Sequence, residues 1–120
     1  MSALTLETLL ATALQTLCPR TYPDVAPEGT ATPYVVWHIL GGQSVQYVEG
    51  ELATRRNALV QINVWHESRA VANQLSLDIE AALVAHTTLR AEVQGALQSA
   101  YDEDADVRGA MQDFSLWANR

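Results

Sequence analysis

The 120-residue sequence predicts an α+β domain in which two helices pack on one face of a mainly antiparallel sheet of four to five strands, in the order α-β-β-β-α-β-β. Three observations carry that prediction. Two segments repeat apolar residues at the helical period, two others alternate strictly at the strand period, and Gly, Pro or acidic runs separate them. The length fits a single domain spanning residues 1–120, and the 48% apolar content suffices for one core without a disulfide or metal staple.

The first helix follows from Leu6, Leu9, Leu10, Ala13, Leu14 and Leu17, which fall on one stripe at 100° per residue. Thr5, or Ser2 a turn earlier, is the candidate cap, and Pro19 ends the helix by disfavouring helical geometry at Cys18. All four prolines lie within residues 19–33, which reads as a stiff connection. There Pro27-Glu28-Gly29 suits a type I turn, with Pro27 second and Gly29 fourth.

Tyr34–Leu40 is a strand apolar on both faces, stopped at Gly41-Gly42, and Ser44–Val48 is a shorter candidate strand. The polar stretch Glu49–Arg56 reads as a long, exposed hairpin arm. Ala58–Trp65 then alternates, with Val60, Ile62 and Val64 on one side and Gln61, Asn63 and Trp65 on the other. In such a meander, Trp37-His38 and Trp65-His66 would end at the same sheet margin.

Ser68 caps a second helix that runs to about Ala85, with Val71, Ala72, Leu75, Ile79, Ala82 and Leu83 as its core stripe. A weaker stripe of Ala70, Leu77, Ala81 and Val84 either packs on the first helix or meets a neighbouring subunit. Val93–Tyr101 and Val107–Trp117 form a final hairpin around an acidic loop, with Phe114 and Leu116 opposite Asp113, Ser115 and Trp117. Trp65 and Trp117 thus fall on the polar sides of their strands. A large ring in that setting is either half-buried under a loop or covered by a partner.

Fourteen acidic residues oppose seven basic ones, a net charge of −7, and all seven cations are arginine. Few cations are left to grip phosphate or an anionic membrane. The lone Cys18 cannot form an intrachain disulfide or a cysteine cage for zinc. No apolar run has the roughly 20 residues of a membrane span, and the first basic residue is Arg20, which is unlike a secretory leader. These features suggest a soluble protein from a reducing compartment.

The search for chemistry finds no nucleophile elbow, phosphate loop, dinucleotide fingerprint or zinc-protease helix. His38, His66 and His86 have no ligand spacing, and Cys18 reads as a packing residue. Asp102, Asp104, Asp106 and Asp113 occupy positions 1, 3, 5 and 12 of a calcium-loop template, but Val107 stands where that loop needs Gly. A solvated acidic hairpin is the simpler reading. No catalytic, cofactor or metal site is expected.

Tyr22-Pro23, then Ala26-Pro27-Glu28-Gly29-Thr30 and Pro33-Tyr34-Val35-Val36, resemble the tail-completion, or tail-terminator, proteins of long-tailed bacteriophages and prophages. Val60-Gln61-Ile62-Asn63-Val64-Trp65 is similar to that family's central strand. Tyr101-Asp102-Glu103-Asp104 and Gln112-Asp113-Phe114-Ser115-Leu116-Trp117 are similar to its final hairpin. The pieces run in the family's order over nearly the whole chain, although Thr87–Leu97 is shorter than usual and lacks a Gly-rich connection.

The resemblance implies a virion structural protein rather than an enzyme. It implies a homo-oligomeric ring, hexameric in type, at the head-proximal end of the tail tube, assembled in the host bacterial cytoplasm. The ring would end tube growth, join tail to head connector, and let DNA through without binding it. Its partners would be the tail tube protein and a head-completion or connector protein, with no membrane. A head–tail connector or neck adaptor is the nearest alternative, and a small ligand-binding or enzymatic α+β domain near His38 and His66 is the other. Under the ring reading, Trp65, Trp117, Leu77, Val84, Glu49, Glu51, Arg55 and Arg56 are the expected subunit or partner contacts. Asp102, Glu103, Asp104 and Asp106 are the expected acidic loop facing the lumen or an adjoining ring.

Overall fold

A computed structural model describes residues 5–42 and 55–119 of the chain. Its elements run α1 (Leu6–Leu17), β1 (Thr21–Pro23), β2 (Tyr34–Gly41), β3 (Arg55–His66), α2 (Arg69–Ala85), β4 (Glu92–Val93), β5 (Gln98–Asp102) and β6 (Val107–Asn119). The α+β class and the order of helices and strands agree with expectation. The sheet has six strands rather than four or five, and it is mixed: β1 pairs parallel to β2, while the other pairings are antiparallel. The candidate strand Ser44–Val48 lies outside the described residues.

The Thr5 hydroxyl caps α1, accepting the Thr8 amide at 3.1 Å, and the helix stops at extended Cys18 before Pro19. A cap contributes about 1 kcal/mol. Leu6, Leu10 and Leu14 are buried, at about 1.5–3 kcal/mol each, so burial of this face rather than the cap holds the helix in place. Leu17, expected on the same stripe, is 37% exposed.

The proline-rich connection is ordered by its own hydrogen bonds. Arg20 donates from Nε to the Pro33 carbonyl at 3.0 Å and from Nη2 to the Thr32 carbonyl at 3.1 Å. Val35 N–H reaches the Arg20 carbonyl and Asp24 N–H the Trp37 carbonyl, which seats β1 along β2. Pro23 is tolerated there because an edge strand needs no amide on its open side. The turn falls one residue later than predicted: Thr30 N–H bonds the Pro27 carbonyl at 3.2 Å, and Gly29 takes third place with φ +80°. A positive φ at that place is the type II pattern, which Gly adopts without strain.

The ladder between β3 and β6 organises the sheet, pairing every residue from Arg55↔Asn119 to His66↔Arg108. One face carries Ala58, Val60, Ile62 and Val64 with Leu116, Phe114 and Ala110, all buried, and Val35 and Trp37 of β2 extend it. Both helices cover this face and share its core cluster. The stripe of α2 is narrower and rotated from the prediction, with Ala72, Ser76, Ile79 and Leu83 buried. Val71 is 45% exposed, since contact with the sheet begins one residue on, at Ala72. Ala70, Leu77, Ala81 and Val84 are exposed.

Two further expectations need correction. The predicted strand Val93–Tyr101 is two short strands, β4 and β5, parted by residues 94–97 with Gly95 at φ +130°. Both pair with β6, and the buried Gln112 amide fills the interruption by donating to the Gly95 carbonyl at 2.8 Å. The two Trp-His pairs also do not meet at one margin. Antiparallel pairing of β2 with β3 sets Tyr34 opposite Trp65 and His38 opposite Gln61.

Gly109 lies opposite Trp65 in the ladder, and a Cβ added there would stand 2.7 Å from the indole ring. Gly109→Ala is therefore expected to cost about 1–3 kcal/mol through overpacking. In a Trp65→Ala background the same change should cost far less, so denaturant melts of the four variants would show strong non-additivity. Equal costs in both backgrounds would contradict this packing.

Candidate functional site

The face of the sheet away from the helices is partly shielded, since Val36 of β2, which alternates onto it, is buried. Gln61, Asn63 and Trp65 of β3 alternate onto it, as do Asp113, Ser115 and Trp117 of β6, and all six are half-buried. Its polar groups are partly tied to one another. Asn57 Nδ2 donates to Ser115 Oγ at 2.8 Å and to the Leu116 carbonyl at 3.0 Å, and Asn63 Nδ2 lies 3.5 Å from Gln61 Oε1. Asn63 Oδ1 is buried there without a hydrogen bond.

The two indoles occupy opposite ends of this face, at the Trp65↔Gly109 and Asn57↔Trp117 pairs. Eight residues of strand separate them, roughly 27 Å. Trp65 spends its ring on Gly109. Trp117, with Arg55, Arg90 and Glu92, lines an open groove of about 560 Å³. At the other end, Glu28, Glu67, Asp102 and Tyr34 line a groove of about 440 Å³ between the Ala26–Thr32 loop and the β5–β6 turn. Burial, and then the charge of Asp102, raise the Tyr34 phenol above its ordinary pKa.

The remaining expected contact residues are dispersed. Leu77 and Val84 lie on the outer surface of α2, 47% and 56% exposed, across the molecule from that sheet face. Arg55 and Arg56 are the first two residues of β3, not part of a solvated arm. Arg55 donates to the Thr88 carbonyl at 3.3 Å, and Arg56 pairs with Glu7 of α1 at 2.6 Å. Glu49 and Glu51, with the rest of the expected arm before Arg55, lie outside the described residues.

The acidic loop is a tight turn whose carboxylates serve it locally. Asp102 Oδ1 accepts the amides of Asp104 and Ala105 at 3.1 and 3.4 Å. Asp106, at φ 51°, accepts the Tyr101 hydroxyl at 2.7 Å and the Arg108 guanidinium at 3.3 Å. That hydrogen bond to Asp106 is the main reason the Tyr101 phenol is raised. Glu103 and Asp104 are exposed. Asp113 sits well along β6, opposite Gln61, so the calcium-loop template does not assemble. No cluster of three or more His, Cys, Asp or Glu side chains suited to a metal occurs among the described residues.

Two histidines act as turn acceptors: His66 Nδ1 takes the Ser68 amide at 2.8 Å, and His86 Nδ1 takes the Thr88 and Leu89 amides at 3.3 and 3.2 Å. The Cys18 thiol is buried beside the Arg20 and Pro33 carbonyls, and burial pushes its pKa up, the opposite of an activated nucleophile. Sequence reasoning missed the Arg20 clamp and the buried Gln112, since neither carries a local signal. The Gly109 contact had one faint signal, a Gly inside a strand pattern.

Burial opposes ionisation of Glu7, but its backbone hydrogen bond and Arg56 outweigh that and lower its pKa. A lowered folded-state pKa stabilises above the ordinary carboxylate pKa, and that contribution is lost as pH falls through the folded value. Arg56→Met should therefore cost up to about 1 kcal/mol at neutral pH and nothing below the titration of Glu7. Thermal melts across a pH series, with Glu7→Gln as the matched control, test this.

The fold has a known counterpart. A chain from the virion of a native gene transfer agent particle superposes with TM-score 0.58 at 19% identity, covering 89% of this chain and 84% of that one. No curated protein sequence matches. The family model described as tail completion protein gp17 matches residues 4–119, nearly the whole chain. By that match the chain belongs to the tail completion protein gp17 family and is a structural protein of a phage-type tail, not an enzyme.

Proposed function

We propose that this protein forms a ring, hexameric in type, at the head-proximal end of the tail tube, where it ends tube growth and joins the tail to the head connector. The observation that carries the reading is a pair of surfaces on a member of a tail-completion family: the exposed outer stripe of α2 and, on the opposite side, the sheet face with its half-buried Trp117. A closed ring uses two different patches on each subunit, which suits surfaces on opposite sides of the domain.

In this reading Trp117, Leu77, Val84 and Arg55 meet a neighbouring subunit or partner, and Glu49 and Glu51 belong to an arm that reaches one. Trp65 contributes its exposed edge, while Arg56 acts mainly inside its own subunit through Glu7. Asp102, Glu103, Asp104 and Asp106 face the lumen or an adjoining ring. There, like-charge repulsion lets DNA pass without adhering. Assembly takes place in the host bacterial cytoplasm, with tail tube protein and a head-completion or connector protein as partners.

Deleting the gene from its phage or prophage and imaging the particles is the direct test. Tails of uncontrolled length beside unattached filled heads are expected, and complementation should restore joined particles. Normal tail length with the chain retained on isolated heads would overturn the reading and favour a connector role instead.

Leu77→Asp combined with Val84→Asp should change monomer stability by no more than about 0.5 kcal/mol, as exposed positions do. The same pair should abolish incorporation into tails, scored by immunoblot of purified particles. Wild-type incorporation would remove the α2 stripe from the contact.

A further inference from the structure

We propose that the polar pocket where β4 and β5 part is a socket for one arginine side chain, supplied by a partner protein of different sequence seated on the sheet face away from the helices. The inference rests on the assembly reading above for its partner, whereas the socket is a property of the isolated chain.

The pocket arises from the break in the outer edge of the sheet. β4 pairs with β6 at Ser115 and Phe114, and β5 resumes only at Met111, so Gln112 and Asp113 stand at the gap. Successive strand residues point to opposite faces. Both nevertheless line one cavity of about 110 Å³, together with Gln61, Gln94, Gly95 and Gln98, because the gap lets it wrap around the edge of β6. That is room for the head of a single side chain and too little for a nucleotide or a length of peptide.

Two observations define what enters. Gln112 is only 3% exposed and its Nε2 is engaged on the Gly95 carbonyl at 2.8 Å, yet its Oε1 is buried without a hydrogen bond. A buried acceptor in that state is costly, and at the wall of a cavity it calls for a donor from outside. The other observation is charge. Asp113, opposite Gln61 in the ladder, is the one ionisable group among the described residues that line the cavity. No hydrogen bond or ion pair among the described residues engages its carboxylate. The occupant is therefore a positively charged donor. A single carboxylate is a poor cage for a metal ion, and no metal-binding cluster occurs among the described residues. Arginine fits, because its planar fork can pair with Asp113 through two N–H groups while another reaches Gln112 Oε1 around the strand edge.

The place of the socket points to a docked partner. The Gln61↔Asp113 pair lies midway along the ladder between the half-buried indoles at Trp65↔Gly109 and Asn57↔Trp117. A central charged anchor with aromatic rings on either side is the pattern of an interface that excludes water from its middle. The arginine is not this chain's own. Two copies at net charge −7 repel, and five of the six described arginines, Arg20, Arg55, Arg56, Arg69 and Arg108, are bonded within the chain. The sixth, Arg90, lies beside Glu92 on the socket's own margin. It would meet a second copy through the same patch, a two-fold contact that pairs subunits and builds no ring.

The test follows the isotope-labelled full chain by NMR during titration with N-acetyl-arginine amide and, separately, with N-acetyl-citrulline amide, which keeps the shape and lacks the charge. Saturable shifts of the Gln112 side-chain amide and the Gly95 backbone amide are expected with the arginine probe in the millimolar range. Binding should weaken about tenfold or more with the citrulline probe, and likewise for the arginine probe after Asp113→Asn. That variant should melt near the wild type, since the carboxylate serves no contact within the described chain. No saturable shift, equal binding of the two probes, or unchanged binding by Asp113→Asn would overturn the socket. Shifts of the same resonances that grow with protein concentration alone would assign the arginine to a second copy and overturn the partner. In the phage, Asp113→Asn should lower the yield of joined particles about tenfold or more, and an unchanged yield would overturn the partner too. The tail role survives each of these failures, because imaging of the gene deletion decides it separately.

Discussion

Everything else in this domain is placed by the antiparallel ladder between β3 and β6. Twelve residues of β3 pair without a break, and the register Val60↔Phe114 and Ala58↔Leu116 puts Ala58, Val60, Ile62, Val64, Phe114 and Leu116 on one side. Period-two geometry makes that register unforgiving: a slip of one residue would turn the core face outward. Once it is set, α2 has one surface on which to bury Ala72, Ile79 and Leu83, and α1 closes the remainder with three leucines. The short strands are accessories of this pair, with β4 and β5 sharing the outer edge of β6 and β1 protecting part of β2.

The same register creates the opposite face, and this links the fold to its role in a tail. Among the described residues the helices form one layer on one face, the other face keeps Trp65 and Trp117 half-buried, and the α2 surface turned from the sheet keeps Leu77 and Val84 in solvent. A monomeric enzyme would be expected to gather polar groups into a cleft. Here His66, His86, Asp102 and Asp106 are engaged in local turns, and the thiol is buried in an inert setting. The chemistry has been spent on shape, as membership of a tail-completion family would lead one to expect.

Charge follows a similar economy. Most of the described arginines clamp carbonyls or neutralise a single acid, which leaves an acidic exterior. A surface of this kind discourages indiscriminate adhesion to DNA or to like-charged copies while allowing a few directed contacts. The absence of lysine fits that use, since guanidinium groups make forked bonds to carbonyl and carboxylate that a single ammonium does not reproduce.

Sequence alone determined what depends on local periodicity. It determined the α1 leucine face with its Thr5 cap, the alternation of Val60, Ile62 and Val64, the start of α2 at Ser68, the α+β class, and through ordered motifs the family. It misplaced what depends on partners distant in the chain. Three residues ending in Pro23 look like loop until the Arg20 and Trp37 carbonyls are seen to hold them along β2. The split of β4 from β5 depends on the Gln112 amide, the seat of Trp65 on a glycine forty-four residues away, and the duty of Arg56 on Glu7 of another element. Periodicity reports which way a side chain points relative to its own backbone. Only tertiary structure decides what stands there to meet it, and so which apolar and charged groups remain for other subunits.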